Sequence, residues 1–442
     1  MIGLTFETRS GGTVVSTIDF RAAGYTLLDG YYPQPGEIGK QVTEAFDVMI
    51  KGSSDANLEA LVRAIELALD FAKKHPSGPD GVWVLFTANY GILTSWQSRI
   101  TGGTLLHNLN LSKRWRDLKV KAQVIIERAP FWESEDPVVL ELTNRGGTDG
   151  ADADIVNHQD AGATDDLYVE IAADQVTGVL PTPAIIEYKN TVNDEVLVDH
   201  LSIGQFAASG NNEPPEAASL ILEGSGTADT DCSGGEYDTE TWEDDAENQL
   251  DTWTLASGDF RQRNYKVIVR LRDVTEYTDL WLKLKLLAGT TVLTETRWCL
   301  VAAGEALVMI GTLQIPPFRF GTHIDLGDLT IGLYEKRAAG AGTLTLDFIG
   351  LIPQDSWRKI GAIIGLAYDE TLVDNPVEET LVTQYGESSY KVTHKVDEGD
   401  PIMLQPGVKN VLYFLHDTTT GTAPIARTAN VVVKCHPRRL TV

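Results

Sequence analysis

Cysteine is scarce in this chain of 442 residues, and Cys232, Cys299 and Cys435 are too scattered to staple it. An odd number with no CxxC spacing argues against a disulfide framework and for free thiols made in a reducing compartment. Cys299 and Cys435 read as small buried apolar residues. No stretch approaches the roughly 20 apolar residues of a membrane span, so no membrane insertion is expected. The opening MIGLTFETRS has no basic start followed by an apolar core, so no secretory leader is expected either. The histidines, His75, His107, His158, His200, His323, His394, His416 and His436, show neither HExxH nor paired ligand spacing, and each reads as an ordinary hydrogen-bonded residue. A GxSxG elbow, a P-loop and a strand-linked GxGxxG are missing as well, so no enzyme is expected. Carboxylates are so abundant that some pair must lie at glycosidase-like separation, which is no evidence for hydrolysis.

Positive charge is nearly absent from one region. Residues 1–128 carry 14 Lys and Arg against 13 Asp and Glu, residues 261–442 carry 20 against 20, and residues 129–260 carry 2 against 30. The whole excess of the net charge of −27 therefore lies in the middle. Adaptation to salt would spread acidity over every domain. This local acidity argues against nucleic acid as a partner there, since phosphate binding needs clustered Lys and Arg.

What is present is β-rich. A hydrophobic content of 43% with 40 glycines and 18 prolines suits a soluble chain long enough for two or three cores. The first 130 residues predict one αβ unit. Leu58, Leu61, Val62, Ile65 and Leu69 recur at helical spacing after Ser54 or Asp55 as the N-cap and before Lys73, Lys74 and Pro76. One such helix can cover a sheet built from strands such as GVWVLFTA (81–88) and LKVKAQVIIERA (118–129). From residue 151 to 166 the chain turns polar and acidic and reads as a long exposed loop. Strands resume with LYVEIAAD (167–174), GVLPTPAIIEYKNT (178–191) and VLVDHLSIGQFAAS (196–209), and the loop GNNEPPEA (210–217) marks a boundary.

Residues 218–355 predict a complete β unit inserted into another. YKVIVRLRDV (265–274) and LWLKLKLLAG (280–289) alternate as strands with one buried face. With the loop CSGGEYDTETW (232–242) and the closing GTLTLDFIGLIPQD (342–355), the segment resembles the galactose-binding-like jelly rolls used as carbohydrate-binding modules. The flanking segments, 131–217 and 356–442, together supply the strands of one split sandwich. The arrangement resembles bacteriophage distal tail proteins and related baseplate components. The carrying residues are the RAPFWE exit (128–133), PTPAIIEYKNT, LQPGVKNVLYFL and the closing HPRRL (436–440), where PRRL stands in place of the usual aromatic form.

That resemblance implies a mainly β fold with one long helix: an N-terminal ring-forming domain (1–130), a split galectin-like β-sandwich (131–217 and 356–442) and an inserted jelly roll (218–355). It implies a virion protein, made in the host cytoplasm, that forms a homo-oligomeric ring and contacts other tail proteins and host-surface polysaccharide. A stand-alone glycan-binding adhesin and a tail-tube subunit with decoration domains remain open beside it.

Two sets of residues are singled out. Jelly-roll modules stack aromatic rings on sugars, and Tyr237, Trp242 and Trp253, read as loop residues of the insert, are the glycan candidates beside core packing. Asp229, Asp231, Ser233, Gly234 and Glu240 fall at positions 1, 3, 5, 6 and 12 of a calcium-loop template. Glu236 occupies position 8, where an apolar residue is usual, and no helices flank the loop, so a solvated acidic loop is the favoured reading and Ca2+ the alternative.

Overall fold

A computed structural model describes residues 3–89, 93–107, 118–144, 149–156, 167–191, 197–208, 221–224, 226–229, 232–242, 247–255, 263–273, 279–315, 329–337, 342–386, 388–390, 394–419 and 427–441. The fold is mostly β-strand, with a single dominant helix and several sheets. The expected boundary loop at 210–217 lies outside the described residues.

The first sheet runs Thr13–Asp19, Gly3–Ser10, Gly81–Asn89, Leu93–His107, Lys119–Arg128, Val42–Lys51 and Tyr25–Leu27, with every neighbouring pair antiparallel. The helix Asp55–Lys74 lies on it. Ser54 is the N-cap, its hydroxyl accepting from the Asn57 N–H at 3.1 Å, which satisfies one of the orphan donors of the first turn. Leu58, Val62, Ile65 and Leu69 are buried against Phe6, Val84, Ile100 and Val124, the apolar stripe that periodicity predicts.

The exit from this unit is built around a sealed ion pair. Arg128 lies 2.6 Å from Glu44, with both side chains buried, and its guanidinium sits 4.5 Å from the Trp132 ring centroid. The strand Trp132–Ser134 then pairs with Arg438–Arg439, so the last segment of the chain returns to the exit of the first unit. Gly36 packs against this junction. A Cβ there would lie 1.5 Å from the Pro130 carbonyl oxygen, and its N–H donates to the Leu440 carbonyl at 3.1 Å, so glycine is needed for close approach.

Four further sheets stack as layers. The outermost contains Ala153–Val156, Thr428–Cys435, Thr182–Asn190, Glu370–Asn375, Thr380–Tyr385 and Ser388–Tyr390, with Val138–Val139 and Met403–Leu404 paired beside that path. The next runs Asp149–Gly150, Leu142–Thr143, Tyr168–Ile171, Lys409–Asp417, Val198–Ala208, Ser356–Leu366 and His394–Gly399. One core joins these two, through Ile186, Tyr188, Ile203, Phe414 and Val433 among others. Within the second sheet, Val198–Ala208 and Ser356–Leu366 are antiparallel neighbours with Gln205 opposite Ser356, so everything between them is the loop of one long hairpin.

The third layer contains Thr227–Ala228, Glu236–Trp242, Gly342–Pro353, Arg263–Asp273 and Leu307–Ile315, with Ile221–Glu223 beside Gly342–Pro353. The fourth runs Asn248–Leu255, Leu329–Arg337, Leu280–Ala288 and Thr291–Glu295, with Cys299–Leu300 beside Leu280–Ala288. All described pairings of strands between 221 and 353 stay within that span. Packing does not. A single core runs from Leu282 and Ile331 through Val267, Ile268 and Ile349 to Phe206, Trp357, Val411, Tyr413 and Leu415 of the second layer. The second layer is therefore covered on both faces. Gly204 marks the contact: a Cβ would lie 2.3 Å from Ile352 Cγ2 and from the Pro353 carbonyl.

The segment 151–166 departs from expectation. Ala153–Val156 is a strand opposite Thr428–Val431, with Ile155 fully buried, so these four residues are not the exposed loop that composition suggests. Asp152 and Asp154 both accept from the Asn430 amide at 2.9 Å, which accounts for acidic residues beside a strand edge. Residues 157–166 lie outside the described residues.

Candidate functional site

The acidic loop of the inserted layers folds as a tight turn. Cys232 donates its N–H to the Asp229 carbonyl at 3.1 Å and Gly235 donates to the Cys232 carbonyl at 3.0 Å. Between them Gly234 adopts φ 66°, a left-handed conformation that glycine takes at least cost. Asp229 is engaged by Arg272, whose Nε donates to Oδ2 at 2.6 Å. Ser233 is buried and donates its N–H to Asp347 Oδ1 at 2.8 Å. Glu240 lies instead on the strand Glu236–Trp242, opposite Leu344, with its carboxyl raised by burial and by the charge of Asp251. Asp231 lies outside the described residues. Among the described residues, no group of three or more His, Cys, Asp or Glu side chains is placed to hold a metal ion.

The aromatic candidates occupy strands, which corrects their reading as loop residues. Tyr237 and Trp242 are on Glu236–Trp242 and Trp253 is on Asn248–Leu255, in different sheets. EYDTETW conceals its strand because polar and acidic side chains fill it. Tyr237 is half-buried, with the Arg272 guanidinium 4.7 Å from its ring centroid. Trp253 packs against the shared core. The Trp242 side chain lies outside the described residues. Three other aromatics, Trp281, Trp298 and Tyr334, belong to no motif of the sequence, although the alternation in LWLKLKLLAG gives Trp281 the opposite face from the buried Leu280, Leu282, Leu284 and Leu286.

A second polar cluster joins the second and third layers. Arg270 lies 3.0 Å from Asp417, and Arg427 Nε donates to the other Asp417 oxygen at 2.8 Å, with all three side chains buried. His416 Nε2 is 3.1 Å from the Arg427 carbonyl, and its ring lies 5.2 Å from that of Tyr188. His200 Nε2 meets the Ser202 hydroxyl at 2.7 Å. Burial pushes the His200 imidazole down to about 3, so it is neutral at ordinary pH. Burial also raises the carboxyl of Asp199, despite the Thr419 N–H and hydroxyl that donate to it. Arg270, Asp417, Arg427, His416 and His200 are buried, and Asp199 and Thr419 lie at the partly exposed margin of the cluster. Elsewhere, a hollow of about 280 Å³ opens beside Thr380, Leu381, Lys395 and Val396, where Arg358 is committed to Asp374 at 2.6 Å.

No family model matches the chain, and no curated protein matches it. Among solved structures it is similar, over 98% of both chains, to a chain of the phage p2 baseplate in its activated conformation, at 8% identity and a TM-score of 0.28. It is also similar to a chain of the T13 IBDV viral particle, over 69% of this chain and 79% of that one, at 7% identity and a TM-score of 0.17. A third likeness, to the arabinofuranosyltransferase AftD from Mycobacteria, covers 81% of this chain and 33% of that one, at 10% identity and a TM-score of 0.17. These resemblances are weak, and TM-scores this low define no common fold or family. No helix among the described residues is long and apolar enough to cross a membrane.

Proposed function

We propose that this chain is a structural, non-catalytic subunit of a phage tail tip, closing into a ring through residues 1–130 and carrying its other layers outward toward the host surface. One observation carries the reading. RAPFWE and HPRRL, two of the motifs that resemble distal tail proteins, lie some 300 residues apart in sequence and form one strand pair, Trp132 opposite Arg439 and Glu133 opposite Arg438. That pair fixes the split sandwich (131–217 and 356–442) to the first unit, and the inserted jelly roll (218–355) stacks on the sandwich.

Ring closure has a physical basis in the first sheet, which ends in two unlike edges, Thr13–Asp19 and Tyr25–Leu27. The first exposes Val14 and Val15 and carries neither Lys nor Pro, the devices by which edge strands avoid pairing. Head-to-tail contacts between unlike edges close into a ring when the rotation per subunit divides a full turn, and otherwise run on as an open filament. Light scattering and negative-stain images of the full chain are expected to show one closed ring size, and Val15→Lys is expected to yield monomers with an unchanged thermal transition. A monomeric parent chain would overturn the reading and favour a stand-alone adhesin; an open tube would favour a tail-tube subunit.

A further inference from the structure

The outward side of the fourth layer carries an aromatic and cationic face unlike the acidic loop. Along Leu280–Ala288 the leucines at 280, 282, 284 and 286 are fully buried, and Trp281, Lys283 and Lys285 take the other side. Antiparallel pairing sets Trp281 opposite Lys336 and Lys283 opposite Tyr334. Trp298 completes the group. Lys283 Nζ lies 4.5 Å from the Trp298 ring centroid, Lys285 Nζ lies 4.0 Å from that of Tyr334, and Lys336 Nζ lies 4.6 Å from Trp298 and 5.6 Å from Trp281.

These lysines are not equivalent. Lys283 is neutralised by Glu295 at 3.1 Å and Glu247 at 3.4 Å, and Lys285 by Glu247. Among the described residues, no carboxylate pairs with Lys336. Its ammonium is held against two indoles in a chain whose net charge is −27. Cation–π contacts orient such a charge without cancelling it. The tyrosine ring is braced as well: Tyr334 folds over Gly332, where a Cβ would lie 2.8 Å from its Cε2.

We propose that Trp281, Trp298, Tyr334 and Lys336 form a binding face for a polysaccharide containing uronate residues. The inference rests on the tail-tip reading, in which the outer layers face the host surface, and adds to it both a site and a ligand class. An indole presents a flat apolar surface to the C–H face of a pyranose. Lys336 supplies a full positive charge within one ring's breadth of that surface. A carboxylate carried directly on the pyranose meets both at once, whereas a phosphodiester places its charge on the linkage, outside the ring. Lys283 and Lys285, already neutralised, pack and orient the aromatic rings.

The test uses the full-length protein with a hexamer of α-1,4-linked galacturonate, its methyl ester as a neutral counterpart, and a polyglycerol phosphate chain, measured by titration calorimetry. The expected order of affinity is acid hexamer, then ester, then phosphate polymer. Charge-assisted hydrogen bonds are the strong ones, so Lys336→Gln should weaken the acid about tenfold and leave the ester unchanged. Lys336→Arg should restore acid binding, and Trp281→Ala should weaken both sugars. Far-ultraviolet circular dichroism and light scattering accompany each variant. Retained rings with lost acid preference support the site, while loss of rings alone counts against ring assembly and leaves the site standing. Equal affinity for acid and ester, no binding to either, preference for the phosphate polymer, or an unaltered Lys336→Gln variant would each overturn the proposal.

Discussion

Arg270, from the third layer, and Asp417, from the second, meet 3.0 Å apart with both side chains sealed from solvent. Asp417 also binds Arg427, so one carboxylate serves two guanidinium groups. Asp417→Asn would remove the carboxylate that the two arginines share, and breaking a buried pair in this way costs about 3–5 kcal/mol. Arg270→Met should cost less, because Arg427 still neutralises Asp417. Urea titrations of the two variants give the order, and a larger loss for Arg270→Met would contradict it.

The proposed insert should fold when excised as residues 218–355, because its described strands pair among themselves. It would lose the cover of Phe206, Trp357, Val411, Tyr413 and Leu415. Cooperative urea unfolding is therefore expected together with self-association and strong binding of an apolar dye, since large uncovered apolar patches associate. An excised segment that unfolds without a transition would remove the insertion argument.

Gly204→Ala tests the contact between layers directly. Its Cβ meets backbone as well as side chain, at 2.3 Å from the Pro353 oxygen and from Ile352 Cγ2. Overpacking of this kind costs about 1–3 kcal/mol. A thermal midpoint equal to that of the parent would show that the layers separate freely.

Acidification should weaken the fold before most carboxylates respond. His200 has its proton affinity depressed by burial to a value of about 3, so as pH falls from about 6.5 the unfolded chain takes up a proton that the folded chain does not. Its contribution is fully present above that pH and is lost progressively down to the folded value, at about 1.4 kcal/mol per pH unit. Asp199, Asp355 and Asp374, raised by burial, have the opposite sign and offset part of the loss at lower pH. Between pH 6.5 and 5.5 the stability of His200→Gln should fall less steeply than that of the parent. Identical slopes would rule out His200 as the source.

Calcium should not stabilise the turn at 229–235. Asp229 is neutralised by Arg272, and Glu240 lies on the adjoining strand. Millimolar calcium and a chelator are expected to give the same thermal midpoint, whereas any ion bound only by the folded chain would raise it. A calcium-dependent increase that disappears in Asp229→Asn would establish the site.

Much of the first unit was legible because its signals are local: helical spacing from Leu58 to Leu69, the Ser54 cap, and strands ending where composition turns polar. The stacking of the layers was legible only in part. VLYFL in the strand Lys409–Asp417 is a continuous apolar run, as a strand covered on both faces must be, and Val411, Leu412, Tyr413, Phe414 and Leu415 are all buried. From sequence the same strand belongs to one sandwich of two sheets, with a single core. Its polar end, His416 and Asp417, obscures the signal, because the sealed carboxylate takes one partner from nearby, Arg427, and the other, Arg270, from a strand about 150 residues earlier in the chain. Trp281 and Lys336 were obscured for a similar reason: alternation gives each a face, but the pairing of their strands is what brings them together.

The hairpin formed by Val198–Ala208 and Ser356–Leu366 also sets an order of events in time. Gln205 and Ser356 are separated by about 150 residues, and closing so long an unstructured loop carries an entropic cost with no local contact to offset it. Once the intervening strands have folded, Ile221 and Gly350 are paired and the two ends of that loop stand side by side. A nascent chain then has a short path to this hairpin, and the intervening layers are expected to fold before it closes. Substitutions that slow the folding of those layers are expected to delay closure of this hairpin as well, although they lie in a different part of the sequence.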